Sequence, residues 1–463
     1  MTEATATALH DAVAALVTWQ LAAPVATLVA VGLPALLGRP LAERTTTRLV
    51  GAGFATSFLA ALLTLAALAA RGFSPEVVHL GTLFSVGHHA TTIELVADGL
   101  SVPYVCFCTG LCWLVNAFAG TYLHREPGFT RFFILLALFG TGMNLMVLAG
   151  SIDVLFAGWE FLGISSTLLI GFFHERRNAV GAALRAFITY RLCDMGLLIA
   201  GVVVHRAVGS GDFERLFGGT WPHATCLIDP TTALVVALLL VFAALGKSAQ
   251  VPFSGWLPQA MEGPTPSSAI FYGALSIHAG AYVLLRCEAV LDAAPVAGWL
   301  LVAIGIGTAL HAAVVGSVQT DLKSMLAYAS MTQAGIILAE IGLGLRIVPL
   351  VHVVSHAILR SLQILRSPSA LHDRHELAAA LGGPPGSGTC SILGLLPDRF
   401  GRGLYRIALE RGFEDAAVQR FVIRPVLSLL EGAQAAESRL VAALGGTDPA
   451  ADPRRPDRDG GAT

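Results

Sequence analysis

Apolar runs of about twenty residues recur along this chain, and that is the length a helix needs to cross the hydrocarbon layer of a membrane. Eleven such runs are read at roughly 16–38, 49–70, 99–123, 132–150, 152–173, 180–204, 231–257, 267–286, 294–317, 324–344 and 347–366. Two segments between them have a different rhythm. Residues 76–97 place Val77, Val78, Leu80, Ile93 and Leu95 around Gly87-His88-His89, which predicts a short β-hairpin on the membrane surface. Residues 211–217 predict a brief interfacial helix. After the last run the pattern changes again. Gly382 to Gly388 reads as a linker, and residues 398–444 read as an amphipathic helical stretch broken near Pro425. There Arg399, Arg402, Arg406, Arg411, Arg420 and Arg424 interleave with Leu404, Ile407, Phe413, Val418, Phe421, Val422, Leu427 and Leu430. That pattern suits the cytoplasmic leaflet or a partner protein, with a plain soluble helical cap as the alternative. The tail from Thr447 is rich in Pro, Asp, Arg and Gly and is expected to be disordered.

Composition narrows the class. Of 463 residues, 55% are apolar and 13% charged, and mean hydropathy is +0.70. Soluble domains carry roughly a quarter charged residues, so much of this surface does not face water. A net charge of −2 leaves no basic excess to neutralise phosphates, which excludes an electrostatic nucleic-acid binder. The seven Cys include no C-x-x-C pair, so neither an iron–sulfur nor a structural zinc site is expected, and no cofactor or metal site is read. Met1 to His10 lack the basic segment of a cleaved signal peptide, so insertion is expected to use the first uncleaved span. With the N-terminus outside, inner loops hold Arg39, Arg44, Arg48, Arg125, Arg131, Arg176, Arg177, Lys323, Arg366 and Arg374. Outer loops hold Arg71, Arg206, Arg215, Arg286 and Arg346, so the positive-inside rule favours N-out and C-in.

Ionisable groups at mid-bilayer cost several kcal/mol, so each needs a reason. The runs contain Glu160, Arg185, Arg191, Asp194, Lys247, His278, His311, Gln333, Glu340, His352, His356 and Arg360. His352, His356 and Arg360 are four apart and share one helix face. Arg191 and Asp194, three apart, can neutralise each other. Asp153 and Glu160, seven apart, also share a face. Pro252 and Pro258 follow Lys247 and break its helix, exposing carbonyls as broken transporter helices do. An ammonium sheds its proton more readily when desolvated and less readily beside a carboxylate. Glu160 and Lys247 therefore read as a load-and-release pair, with histidines as relays and the arginines as fixed charges. Against this stand blander readings: His278 and His311 as hydrogen-bonded helix-packing residues, Glu340 snorkelling to an interface, and Arg191–Asp194 as a structural ion pair.

Longer strings carry a resemblance. Gly158-Trp159-Glu160-Phe161-Leu162-Gly163, Gly246-Lys247-Ser248-Ala249-Gln250, Trp256-Leu257-Pro258 and Met261-Glu262-Gly263-Pro264-Thr265-Pro266 are similar to the antiporter-like membrane subunits of respiratory complex I. So are Gln319-Thr320-Asp321-Leu322-Lys323 and Leu326-Ala327-Tyr328-Ala329-Ser330-Met331-Thr332-Gln333. The best match is to subunit L, or chain 5, over residues 75–360. Multisubunit sodium/proton antiporters and the membrane subunits of two-part inorganic-carbon uptake complexes share the pattern. The resemblance implies an all-α polytopic membrane protein of about eleven helices built from inverted five-helix repeats, each with a broken helix. It divides the chain into N-terminal helices with an external hairpin (1–130), a complete first repeat (131–286), a shortened second repeat (287–366) and a cytoplasmic C-terminal region (367–463). It assigns the proton path to Glu160, Lys247, Arg191, Asp194, His352 and His356. Two positions depart from the pattern: Tyr272 stands where the family has a histidine, and Arg360 where it has a lysine. The second broken helix and the long lateral helix are not read, so either a partner chain supplies the other half-channel or the route differs.

Four functions fit these features. They are a proton- or cation-conducting subunit of a membrane complex, a complex I module whose redox sites lie in other chains, the energising half of a carbon-uptake system with a cytoplasmic zinc protein docked at 366–440, and a non-conducting scaffold. A sodium/proton antiporter subunit belongs to the first. No nucleotide-binding glycine fingerprint follows a strand, so no redox chemistry is assigned to this chain. The expected setting is a bacterial inner membrane, with lipid and other membrane subunits as partners and no nucleic acid.

Overall fold

A computed structural model of the chain describes residues 3–86, 89–381, 398–413, 420 and 424–443. The protein is a polytopic all-α membrane protein, and ten helices among the described residues are long and apolar enough to cross a membrane. Helices α1 (Glu3–Leu36) and α2 (Glu43–Ala70) lead into an antiparallel hairpin, β1 (Glu76–Val86) and β2 (His89–Ala97). Then come α3 (Ser101–Tyr122), α4 (Phe129–Val147), α5 (Ile152–Ile170), α6 (Arg177–Val208) and α7 (Pro230–Lys247). The next span, α8 (Thr265–Arg286), is irregular and fully buried. After it stand α9 (Pro295–Gly316), α10 (Leu322–Gly342), α11 (Ile347–Leu381) and α12 (Asp398–Leu409). In the first of two units, Met1–Leu409, α12 packs on α9. A second unit contains α13 (Arg424–Ala443).

Local chemistry sets the boundaries. Ser151 caps α5 by accepting from the Val154 amide at 3.3 Å, and Asp229 caps α7 with Pro230 in the first turn. Asp321 does the same for α10, accepting from the Ser324 amide at 2.8 Å. Between spans, small residues let backbones meet. A Cβ on Gly158 would stand 2.4 Å from the Met146 amide nitrogen of α4, and one on Gly305 would stand 2.4 Å from the Gly335 carbonyl of α10.

Several expectations change. The seventh apolar run continues to 257, but α7 stops at Lys247. The chain turns there through Ala249, which adopts a left-handed φ of 51°, and Pro252 blocks helical continuation. The Trp256 indole donates to the freed Gly246 carbonyl at 2.9 Å, and the Gln250 amide donates to Ser248 O at 2.7 Å. These bonds let irregular backbone persist inside the bundle. The tenth run forms α10, yet its Lys323, Gln333 and Glu340 leave it less apolar than the ten. Helix α11 runs past 366 to Leu381. In the 398–444 stretch α12 ends at Leu409 and α13 starts at Arg424, so the break expected near Pro425 falls where that proline occupies the first turn of α13. The 211–217 segment contains one helical turn, Phe213–Leu216. The linker 382–388, the hairpin tip Gly87-His88 and the tail from Thr447 lie outside the described residues.

Arg286 is the clearest correction, because it is no outer-loop residue. It is 8% exposed and forms a two-pronged ion pair with Asp98, with Nη1 at 2.5 Å from Oδ2 and Nη2 at 3.1 Å from Oδ1. Asp98 also accepts from the Leu100 and Ser101 amides at the start of α3. One pair thus ties the end of α8 to the hairpin base. Truncating one partner of a buried pair strands the other at a cost of about 3–5 kcal/mol, whereas removing both is often nearly neutral. Arg286→Ala should therefore lower the thermal unfolding temperature of the detergent-solubilised chain, and adding Asp98→Ala should recover most of the loss. A single variant as stable as wild type would contradict this account.

Candidate functional site

The break in α7 leaves Lys247 in its last turn with no solvent exposure. Its ammonium donates to the Trp159 carbonyl at 3.3 Å and lies 4.0 Å from Asp194 Oδ1. The rings of Trp159 and Tyr190 sit 4.7 and 4.5 Å from it, each presenting a π face to the cation. Asp194, on α6, is itself buried and accepts from the Trp159 indole at 2.5 Å. Arg191, one turn earlier, pairs with Asp194 at 3.2 Å and also with Glu160 of α5. Four charges therefore alternate in sign, in the order Glu160, Arg191, Asp194, Lys247. A Cβ on Gly163 would come within 3.0 Å of the Lys247 nitrogen and 3.3 Å of Arg191 Nη2, so glycine there leaves room for both cations.

This geometry revises the reading of the residues. Glu160 and Lys247 are both in the cluster, but they are not direct partners. Glu160 bonds Arg191, and Asp194 is the carboxylate beside Lys247. Asp153 is outside the cluster, paired with His205 at 2.8 Å. Trp159 and Tyr190 were missed as site residues, because aromatic residues in apolar runs give no signal of contact with a cation.

A second cluster lies between α8, α10 and α11. His356 Nδ1 is 3.0 Å from Nε2 of His278, a hydrogen bond between α11 and α8. His352 Nδ1 is 2.9 Å from Glu340 Oε1, and its Nε2 is 2.9 Å from Gln333 Oε1. Glu340 therefore does not snorkel; a histidine on the neighbouring helix holds it. Tyr272 is buried and donates to the Ser166 carbonyl at 3.3 Å. Arg360 is buried against Gly273, and its Cγ would lie 3.4 Å from a Cβ there. Among the described residues, no group of three or more His, Cys, Asp or Glu is placed to hold a metal ion.

Residues 149–381 match the family described as NADH:quinone oxidoreductase/Mrp antiporter, transmembrane, and this segment contains both clusters. The chain belongs to this family. Residues 83–133 match the N-terminal region of complex I chain 5. The chain is 36% identical over 295 residues to NADH-ubiquinone oxidoreductase chain 5 of Schizophyllum commune, covering 64% of this chain and 42% of that one. It is 33% identical over 305 residues to the probable inorganic carbon transporter subunit DabB1 of Halothiobacillus neapolitanus, covering 65% and 53%. Among solved structures it resembles the Mrp complex from Dietzia sp. DQ12-45-1b, with a TM-score of 0.64 and 27% identity over 86% of this chain and 43% of that one. The chain spans about half the length of the curated relatives it matches.

The alternating cluster depends on Asp194, which lies between two cations. Removing it should cost about 3–5 kcal/mol, because Arg191 and Lys247 are left facing each other in a low-dielectric interior. Glu160→Ala should cost less, since Arg191 keeps Asp194 as a partner when Glu160 is removed. Thermal unfolding of Asp194→Ala and Glu160→Ala in detergent checks the order. A more damaging Glu160→Ala would show that the cluster is anchored from the other end.

Proposed function

We propose that the chain is a proton- or cation-conducting membrane subunit of a multi-subunit complex, acting through Glu160, Arg191, Asp194, Lys247, Tyr272, His352, His356 and Arg360. The observation that carries this reading is the fully buried Lys247 at the end of an interrupted helix, 4.0 Å from a carboxylate that a second cation also holds. Arg191 can share itself between Glu160 and Asp194. When it leans on Glu160, Asp194 is free to neutralise a charged Lys247. When it leans on Asp194, Lys247 loses that compensation and releases its proton. Arginine keeps its charge throughout and serves as the moving counter-ion.

The finer architecture belongs to the same proposal: residues 131–286 as a first antiporter-like repeat with α7 as its broken helix, 287–366 as part of a second, and 367–463 as a cytoplasmic region. Other membrane subunits are the expected partners, since the relatives are subunits of complexes. The Arg-rich stretch 366–440 would meet a cytoplasmic partner or the leaflet. The setting is a bacterial inner membrane with the N-terminus outside. An inorganic-carbon uptake role is the second reading, favoured by the likeness to the Halothiobacillus subunit.

The decisive experiment uses Lys247. Lys247→Arg keeps the positive charge but cannot release a proton, so proton flux should fail as badly as in Lys247→Ala. Glu160→Gln should slow flux by disturbing the counter-ion exchange. Membrane abundance of each variant is checked alongside. Full activity with arginine at this position would make the residue a structural cation, and activity surviving both substitutions would favour the scaffold.

Orientation has its own check. A reporter fused after Arg374 should be active only on the cytoplasmic side; periplasmic activity would reverse the assignment.

A further inference from the structure

We propose that Glu288 and Arg346 form a latch at the hairpin end of the bundle, which holds the start of α11 while Glu288 carries a proton and lets it go when Glu288 ionises. Its effect on transport rests on the proton-conducting reading; the latch itself does not. Glu288 opens a short helix, Glu288–Ala293, that joins α8 to α9 and packs on α7. Arg346 lies in the connection between α10 and α11, one residue before α11 begins. Its Nε is 2.9 Å from Glu288 Oε2, and its Nη2 bonds the Asp292 carboxylate one turn further along the short helix. One guanidinium thus serves two carboxylates and ties the helix behind α8 to the head of α11.

The two buried ion pairs at this end of the bundle differ in quality. Asp98 takes both prongs of Arg286 and two backbone amides, so although burial opposes its charge, its carboxyl is held below the ordinary range. Glu288 is equally buried, at 4% exposed, yet neither of its oxygens accepts a hydrogen bond from a described residue. The Arg346 Nε is close to it without being aligned to donate. A pair kept only to join two elements would be aligned as Asp98 and Arg286 are. Glu288 has instead been taken out of water with its charge only partly compensated.

The charged and titratable groups around Glu288 come from each element packed on it. Arg346 and Arg286 favour its ionised form, and Asp292 disfavours it. The Trp221 indole N–H, also without a partner, faces the carboxyl. The neighbouring strand and the start of α7 bring Cys226 and Asp229, and Cys287 is adjacent in sequence. Tyr282 has committed its hydroxyl proton to the Val147 carbonyl. Helix α9 brings no ionisable group before His311. Burial, opposed by Arg346 and reinforced by Asp292, raises the Glu288 carboxyl to about 7.

Linkage sets the direction. A proton binds Glu288 more tightly in the closed latch than in water, so closure is firm in acid and weakens as pH rises through about 7. Above that, the ionised carboxylate gains by turning out to water, and Arg346 keeps only the half-exposed Asp292. The head of α11 is then free to shift. His352 follows on the same helix and holds Glu340 and Gln333 of α10, so the shift reaches the histidine cluster and lowers transport.

The test is hydrogen exchange of the detergent-solubilised full chain, corrected for intrinsic pH effects, at the short helix and the first turn of α11. From about pH 6 to about pH 8 wild type should open about tenfold more often, the change expected when a carboxyl is raised from its ordinary value to about 7. Glu288→Gln stays neutral and should remain protected at both. Arg346→Gln removes a cation that favours ionisation, so the transition should move to higher pH. In vesicles under equal driving force, wild-type flux should be lower with the hairpin face at about pH 8 than at about pH 6, and equal at both in Glu288→Gln. Lys247→Ala should lack flux throughout. Exchange as pH-dependent in Glu288→Gln as in wild type overturns the latch, and so does wild-type protection that rises with pH. If the exchange behaves as expected but flux ignores pH on that face, the effect on transport is overturned. If Lys247→Ala keeps its flux, the conducting reading fails and the exchange data alone judge the latch. Should Glu288→Gln not accumulate, Arg346→Gln decides: no shift, or a shift to lower pH, overturns the proposal.

Discussion

A charge inside the bundle must be compensated by the bundle itself, and the interior of this protein is organised around that constraint. Two unit charges 4 Å apart interact by about 4 kcal/mol even at an effective dielectric constant near 20. Lys247 and Asp194 are separated by that distance, so neither can be considered alone. The alternation Glu160, Arg191, Asp194, Lys247 gives every cation a carboxylate and every carboxylate a cation. It also makes the arrangement adjustable, since Arg191 has two carboxylates and one charge.

The constraint reaches into the fold. Lys247 can face Trp159 and Asp194 because α7 ends there, and α7 can end there because Trp256 and Gln250 bond the carbonyls that its interruption frees. Trp159 is held by two bonds of opposite sense. Its carbonyl accepts from the lysine, and its indole donates to the aspartate. Its neighbour Gly158 lets α4 close on α5, which fixes the height of Trp159 and Glu160 in the bundle. A mutation at this glycine would thus move the electrostatics without touching a charge.

The sequence made the charged positions legible and left their partnerships hidden, for physical reasons. A buried ionisable residue stands out in an apolar run, and this is how Glu160, Asp194, Lys247, His352 and His356 were found. Spacing along one helix says which residues share a face, but not which neighbouring helix that face meets. Hence Glu160 was matched to Lys247 rather than Arg191, and Glu340 was sent to an interface rather than to His352. Arg286 lies at the end of its apolar run, beside Glu288, and on sequence grounds resembles a loop residue. Only the return of Asp98 from the hairpin base buries it. The end of α7 was blurred because the apolar run continues to 257, although Pro252 marked the break.

The two clusters solve the burial problem in different ways, and the difference bears on how they can work. Around Lys247 the cluster combines two carboxylates, a fixed guanidinium and one ammonium, so its state is set by the partner Arg191 takes and by the proton on Lys247. Between α8 and α11 the groups are imidazoles, which can be buried neutral and need no fixed counter-ion. A neutral pair can sit beside the buried Arg360 without demanding a carboxylate from the same region. Neutrality at rest also means that the histidine pair adds no standing field to the Lys247 cluster. Tyr272 ties α8 to α5, its hydroxyl donating to the Ser166 carbonyl at 3.3 Å.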